Sequence, residues 1–116
     1  MVDFRMKLRN AWCKETSHPA YQASWSADNP SAGQCAITAL VVQDIYGGDI
    51  YSCKVGRNSH FINMIDDKIV DLTADQFGGV EKIQYIKGSF KLRTRESLLK
   101  NKDVKERYLM LCNRMA

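Results

Sequence analysis

The chain has 116 residues, of which 45% are hydrophobic and 26% are charged, and its net charge is +4. This length suits a single domain over residues 1–116 with a substantial core, and the balanced composition excludes the disordered and low-complexity classes. The positive charge is modest and spread over both termini without interleaved aromatic residues, so no nucleic-acid partner is expected.

The first ten residues, MVDFRMKLRN, carry charges where a secretory signal would need an apolar segment, and no run approaches the length of a membrane span. We therefore expect a cytoplasmic protein without a membrane partner. In that compartment the cysteines are expected to be free thiols, because they include no CxxC spacing. They are Cys13, Cys35, Cys53 and Cys112.

Residues 2 to about 13 are predicted to form an amphipathic helix, because their apolar side chains recur at helical spacing. Residues 16–32 have the prolines, serines and asparagine of a loop. Tyr21 and Trp25 lie in this loop, and such large aromatic side chains are rarely left in water. We expect them to pack over the helix that follows.

The stretch from residue 29 to 48, NPSAGQCAITALVVQDIYGG, predicts a buried helix that begins at Cys35. Its apolar run is dense, and the pair Gly47 and Gly48 is a typical C-terminal stop. The first N–H groups of a helix lack intrahelical partners and the dipole is positive there, which stabilises a thiolate. Cys35 is therefore a candidate nucleophile.

A strand is predicted over residues 49–55, with a turn at 56–59. Residues 60–65 alternate in the manner of a strand and 69–72 return as the second arm of a β-hairpin around a turn at 66–68. These segments predict an antiparallel sheet.

The last third of the chain begins with a short helical turn expected at 74–77, which two glycines close, and a third main strand is expected over 81–87. A short helix at 95–100 precedes a longer one, for which Asp103 and Glu106 form a possible capping box. The face of that helix expected in the core consists of Val104, Tyr108, Leu111, Cys112 and Met115.

Cys35, His60 and Asp71 occur in an order that suits a cysteine-dependent acyl-transfer site. In such a site the thiolate attacks a carbonyl carbon, the imidazole exchanges protons with the thiol and the leaving group, and the carboxylate orients the ring. Because the hairpin turn lies at 66–68, His60 and Asp71 are expected roughly opposite each other, within about 5.5 Å at Cβ.

The oxyanion that this attack produces needs hydrogen-bond donors. The backbone N–H of Cys35 is one candidate, and the side chain of Gln34 or Gln76 is a second, with both alternatives open. Gln76 has a further alternative, as a turn cap or as part of the substrate groove. A zinc site at Cys35, Cys53 and His60 is the weaker hypothesis because the spacings match no zinc module, so no metal or cofactor is expected.

The run GQCAITALVVQDIYGG, with SHFIN and VDLTADQF after it, resembles the small bacterial YunG-type family, and RESLLKN and KERYLML resemble that family's helical tail. More distantly, a helix-start cysteine, a strand histidine and an aspartate in an Asp-x-Thr context are similar to the transglutaminase-like branch of the papain-like superfamily. This second resemblance implies Cys35 as nucleophile, His60 as base and Asp71 as the orienting residue.

Together these features predict an α+β domain with a papain-like core, in which a three- or four-stranded antiparallel sheet packs against the Cys35 helix. The first functional hypothesis is a cysteine-dependent hydrolase, deamidase or acyltransferase that acts on an amide or thioester carbonyl of a peptide or small molecule. The second is a non-enzymatic module that binds a protein or ligand in the groove beside Trp25 and Gln76. The substrate and the oligomeric state are left open.

Overall fold

A computed structural model describes residues 2–79, 83–86 and 88–116 of the protein. In this part of the chain the α+β architecture and the four-stranded antiparallel sheet agree with the prediction. The α-helices are Val2–Ala11 (α1), Cys35–Tyr46 (α2), Arg95–Leu99 (α3) and Lys102–Met115 (α4). The strands are Asp49–Val55 (β1), Asn58–Ile65 (β2), Lys68–Val70 (β3) and Lys91–Arg93 (β4). No helix in the described ranges is long and apolar enough to cross a bilayer.

The sheet has the strand order β3-β2-β1-β4, and each neighbouring pair is antiparallel. Asp66 and Asp67 form the turn between β2 and β3, which is one residue shorter than predicted because Lys68 already pairs with Ile65. Both aspartates have positive φ (50° and 62°), as the favoured two-residue hairpin turn requires. The predicted turn at 56–59 is too long. Asn58 and Ser59 already belong to β2, where they pair with Val55 and Lys54, so the turn itself has two residues.

Helix α2 is the centre of the domain, and every residue from Ala36 to Val42 is buried. A helix that is apolar on all sides has to be covered on all sides. α1 and α4 pack on one side of α2, where the indole N–H of Trp12 donates to Thr38 Oγ1 at 3.0 Å. The sheet covers another side, and Asn63 Nδ2 donates to the Ala39 carbonyl at 2.9 Å. The predicted bounds of α2 are confirmed, with Gly47 as its C-cap.

The helical tail has the predicted apolar face, in which Leu111 is fully buried and the other four members pack against the core. Its N-cap differs from the prediction. The Asn101 side chain accepts a hydrogen bond from the Val104 N–H at 3.1 Å, so α4 begins before Asp103. Asp103 instead pairs with Arg107, one turn further along, at 2.8 Å. The capping box predicted from Asp103 and Glu106 is therefore wrong.

Of the strand predicted over 81–87, residues 81, 82 and 87 lie outside the described residues. Within 83–86, Tyr85 forms an isolated bridge with Val55, and the Ile86 N–H donates to the Lys54 carbonyl at 3.0 Å. The fourth strand of the sheet is β4, which pairs with β1. Sequence reasoning missed β4 because it has only three residues, all of them exposed.

Candidate active site

Cys35 is the first residue of α2, and the loop before it is held by close backbone contacts. The Gly33 carbonyl accepts from the His18 N–H at 2.9 Å, and Ser17 Oγ donates to the Ala32 carbonyl at 2.8 Å. Gly33 has φ +74°, and a Cβ on it would lie 2.3 Å from Ser17 Oγ. Only glycine permits this approach, which fixes where α2 and its cysteine begin.

His60 is the third residue of β2 and is fully buried. Its Nε2 lies 2.7 Å from Oδ2 of Asp71, so the two predicted partners are in contact. The sequence predicted that His60 and Asp71 lie roughly opposite each other on adjacent strands, but they do not. The β2–β3 ladder ends at the pair of Asn63 and Val70, and Asp71 follows that end. The chain leaves the sheet there, and the carboxylate reaches His60 diagonally.

Asp71 is also held by groups other than His60. The Tyr85 hydroxyl donates to Asp71 Oδ2 at 2.7 Å, and Thr73 Oγ1 donates to Oδ1 at 3.4 Å. Burial, and then the hydrogen bond to Asp71, raises the pKa of Tyr85, so the phenol keeps its proton and remains a donor. Sequence reasoning assigned Tyr85 no role, because a contact 14 residues away leaves no local pattern.

The charge of His60 depends on a competition between burial and its neighbours. Burial disfavours the charged ring and alone would lower the pKa. The hydrogen bond with Asp71, together with the charge of Asp71 and the proximity of Cys35, outweighs this effect and raises the pKa of His60 to about 9. The ring is therefore an imidazolium at neutral pH.

The two nitrogens of the His60 ring differ in their hydrogen-bond partners. Nε2 is engaged by Asp71, whereas Nδ1 is buried without a hydrogen-bond partner among the described residues. The ring of Phe77 packs edge-on against the imidazole, with centroids 5.0 Å apart and planes at 86°. This contact restricts rotation of the imidazole ring.

The two candidate glutamines differ in what their amides already bind. Gln34 is fully buried and its Nε2 donates to the Cys13 carbonyl at 3.0 Å, so that donor is used to hold the preceding segment. Gln76 Oε1 accepts from the Gly33 N–H at 3.3 Å, which orients the amide. Its Nε2 is buried and has no partner within the described ranges. Gln76 therefore keeps an unused donor beside the loop that precedes Cys35.

A cavity of about 570 Å³ opens beside Cys35 and is also lined by Gln76. Tyr21 lines it and remains 43% exposed, so this ring borders the cavity more than it covers α2. Trp25 is not among the described lining residues, and its indole N–H donates to the Pro30 carbonyl at 3.0 Å. Much of the remaining wall is apolar, including Phe61 and Leu98, which suits a small organic ligand.

Cys53 pairs with His60 across β1 and β2 and is buried. Burial, followed by the charges of Asp71 and Cys35, raises the pKa of the Cys53 thiol to about 11, so it stays protonated. All four cysteines are free thiols, as predicted. Within residues 2–79, 83–86 and 88–116 no group of three or more His, Cys, Asp or Glu side chains could hold a metal ion.

Comparison with known proteins identifies one family. The family model described as YunG protein matches residues 1–116. The curated protein named "Uncharacterized protein YunG", from Bacillus subtilis (strain 168), is 37% identical over 82 residues, which cover 71% of this chain and 67% of the relative. No solved structure shows a significant match.

Proposed function

This chain belongs to the YunG protein family, and we propose that it is a cysteine-dependent acyl-transfer enzyme that acts on an amide or thioester carbonyl. The observation that carries the proposal is the position of His60. Its Nε2 is bound to Asp71 at 2.7 Å, its Nδ1 is unpartnered among the described residues, and its pKa is raised to about 9 partly through Cys35. A histidine in this setting suits proton exchange with a thiol.

In the proposed reaction the Cys35 thiolate attacks the carbonyl carbon, and the carbonyl electron pair moves to oxygen. The intermediate collapses as the bond to the leaving group breaks, and the leaving amine or thiol takes the Nδ1 proton of His60. This leaves an acyl group on Cys35 as a thioester. A water or another acceptor then gives its proton to His60, attacks the thioester and releases Cys35 as a thiolate.

Two donors are available for the oxyanion in this scheme. As the first residue of α2, Cys35 has a backbone N–H without an intrahelical partner. The second donor is Nε2 of Gln76, which the Gly33 contact orients through the opposite end of the amide. Donors that are fixed before the reaction stabilise the developing charge without reorganisation.

We extend the proposal to a distant relation with papain-like and transglutaminase-like enzymes. In support, the candidate nucleophile begins a central helix, and the histidine lies on a strand of the antiparallel sheet packed against that helix. The aspartate follows the next strand in the chain. The non-enzymatic binding module remains the competing hypothesis, because the same cavity would suit a ligand that is not turned over.

Thiol labelling separates these two hypotheses. The protein would be treated with iodoacetamide at pH 6.5, and the rate at each cysteine read by mass spectrometry. An ordinary thiol with a pKa of about 8.5 is only about 1% ionised there, so we expect Cys35 to react roughly tenfold faster than Cys13 or more. Cys13 is a matched control because both residues are half-buried. The variant His60→Ala should remove the difference.

Equal rates at Cys35 and Cys13 in the native protein would exclude the enzymatic hypothesis and leave the binding module. A fast Cys35 in a folded His60→Ala protein would refute the role of the imidazole. Circular dichroism of the variant checks that the fold is retained, since His60 is a buried residue whose loss also opens a cavity.

A further inference from the structure

The cavity beside Cys35 has an uneven charge. Two arginines, Arg93 and Arg107, belong to its wall, and none of its described lining residues is acidic. Asp71 lines a separate cavity on the side of α1. Cationic groups in a concave site without matching carboxylates attract an anionic ligand.

Arg107 is a fixed donor at this wall. It is only 4% exposed, although arginine is rarely buried. Its Nε donates to Asp103 Oδ2 at 2.8 Å and its Nη1 to the Thr16 carbonyl at 3.0 Å. These bonds hold the guanidinium plane, and Nη2 takes part in neither of them. The Asp103 side chain is 42% exposed, so water weakens its compensation of the arginine charge.

Arg93 lines the same cavity and belongs to β4, the edge strand that pairs with β1. Its Nε donates to Ser52 Oγ at 2.8 Å, which anchors the stem of the guanidinium. Within the described ranges no carboxylate forms an ion pair with it. Both terminal nitrogens are therefore free for the two-pronged contact that arginine makes with carboxylate or phosphate oxygens.

We propose that the substrate acylating Cys35 is a small amide or thioester carrying an anionic group, a carboxylate or a phosphate, that Arg93 and Arg107 bind. The inference rests on the proposed function, because it names the substrate class of the same site. A volume of about 570 Å³ lies within the range of small-molecule sites, and the apolar part of the wall would take the hydrocarbon portion of the substrate.

Two alkylating reagents that differ in charge test this assignment. Iodoacetate and iodoacetamide share the same leaving group, but only iodoacetate is anionic. We expect the ratio of the iodoacetate rate to the iodoacetamide rate at Cys35 to fall roughly threefold or more in Arg93→Gln, as loss of one partly exposed charge contact predicts. The His60 imidazolium also attracts iodoacetate, but it is present in every variant, so the change in ratio isolates the arginine.

Lys68→Gln is the matched control. It removes the same charge from the exposed start of β3, a residue outside the cavity wall, and should leave the ratio unchanged. Arg107→Gln should lower the ratio as well. Because Arg107 is buried and this variant can lose its fold, Arg93→Gln carries the decision. Equal ratios in Arg93→Gln and Lys68→Gln, with rapid labelling by iodoacetamide, would overturn this inference alone.

Slow labelling of Cys35 by iodoacetamide in the native protein would instead overturn the proposed function. Competition then identifies the anion. Inorganic phosphate and acetate would each be titrated against iodoacetamide labelling, and protection at the lower concentration by phosphate assigns a phosphate, whereas the reverse order assigns a carboxylate. Sodium chloride is the control for ionic strength. If neither phosphate nor acetate slows labelling of Cys35 more than sodium chloride does at the same ionic strength, the anionic substrate class would also be overturned.

Discussion

Replacing Asp71 with asparagine should change how the stability of the fold depends on pH. The pKa of His60 is about 9 in the folded protein, against 6.5 for an ordinary histidine. A folded pKa above the unfolded one stabilises the native state below pH 6.5, and this contribution is lost as the pH rises to about 9. Asparagine keeps the shape of the side chain but removes the charge that His60 contacts.

The size of the effect follows from the shift. Each pKa unit corresponds to 1.36 kcal/mol, so the free energy of unfolding of the native protein should fall by about 3 kcal/mol between pH 6 and pH 9.5 through His60. In Asp71→Asn, burial acts on the ring with only Cys35 left to oppose it, and most of this dependence should disappear. The pKa of His60 should then fall towards 6.5 or below.

Urea denaturation of both proteins across this pH range measures the difference directly, and NMR titration of the His60 ring gives its pKa. Cys53 also titrates differently in the folded and unfolded chain, because its pKa is raised to about 11. Burial is the largest cause of that shift and is the same in both proteins, so most of the Cys53 contribution cancels in the comparison. If the free energy of unfolding depended on pH in the same way in the native protein and in Asp71→Asn, Asp71 would not be the cause of the raised His60 pKa.

Two further predictions concern Gln76 and Gly33. Gln76→Ala should slow acylation of Cys35 by p-nitrophenyl acetate by about 10²-fold, the usual effect of losing an oxyanion donor. Labelling by iodoacetamide, which forms no oxyanion, should stay within about twofold of the native rate. Equal losses with both reagents would contradict the role of Gln76 as an oxyanion donor. Gly33→Ala should lower the free energy of unfolding, measured in urea, by about 3 kcal/mol. The alanine would be strained by the positive φ of this position, and its Cβ would also clash with Ser17 Oγ at 2.3 Å. Gly56→Ala is its control, since Gly56 has φ +60° and open space around it, and should cost about 1 kcal/mol; equal losses would show that the clash is relieved.

The features that sequence alone predicted are those with local causes. The apolar density of α2 and the glycine after it specify both ends of that helix, because burial and the positive φ of the Gly47 C-cap depend on neighbouring residues. The contact of His60 with Asp71 was predicted from the hairpin, but their register was not, because β3 ends at Val70. The end of a strand depends on tertiary contacts with residues elsewhere in the chain.

Features that depend on distant residues were not predictable. The contact of Tyr85 with Asp71 has no pattern in the sequence. The different partners of Gln34 and Gln76 could not be read from the sequence, since one amide binds the Cys13 carbonyl and the other the Gly33 N–H. The two glutamines are alike as residue types, and only the fold distinguishes them.

Gly33, two residues before Cys35, contacts two distant parts of the chain, residues 17–18 and Gln76. Its carbonyl binds the His18 N–H, its N–H binds the Gln76 side chain, and its bare Cα admits Ser17. These contacts join residues far apart in sequence, so the surroundings of Cys35 are complete only in the folded protein. On the proposed mechanism a nascent chain carries four ordinary thiols, and rapid labelling of Cys35 becomes a measure of how much of the protein has finished folding.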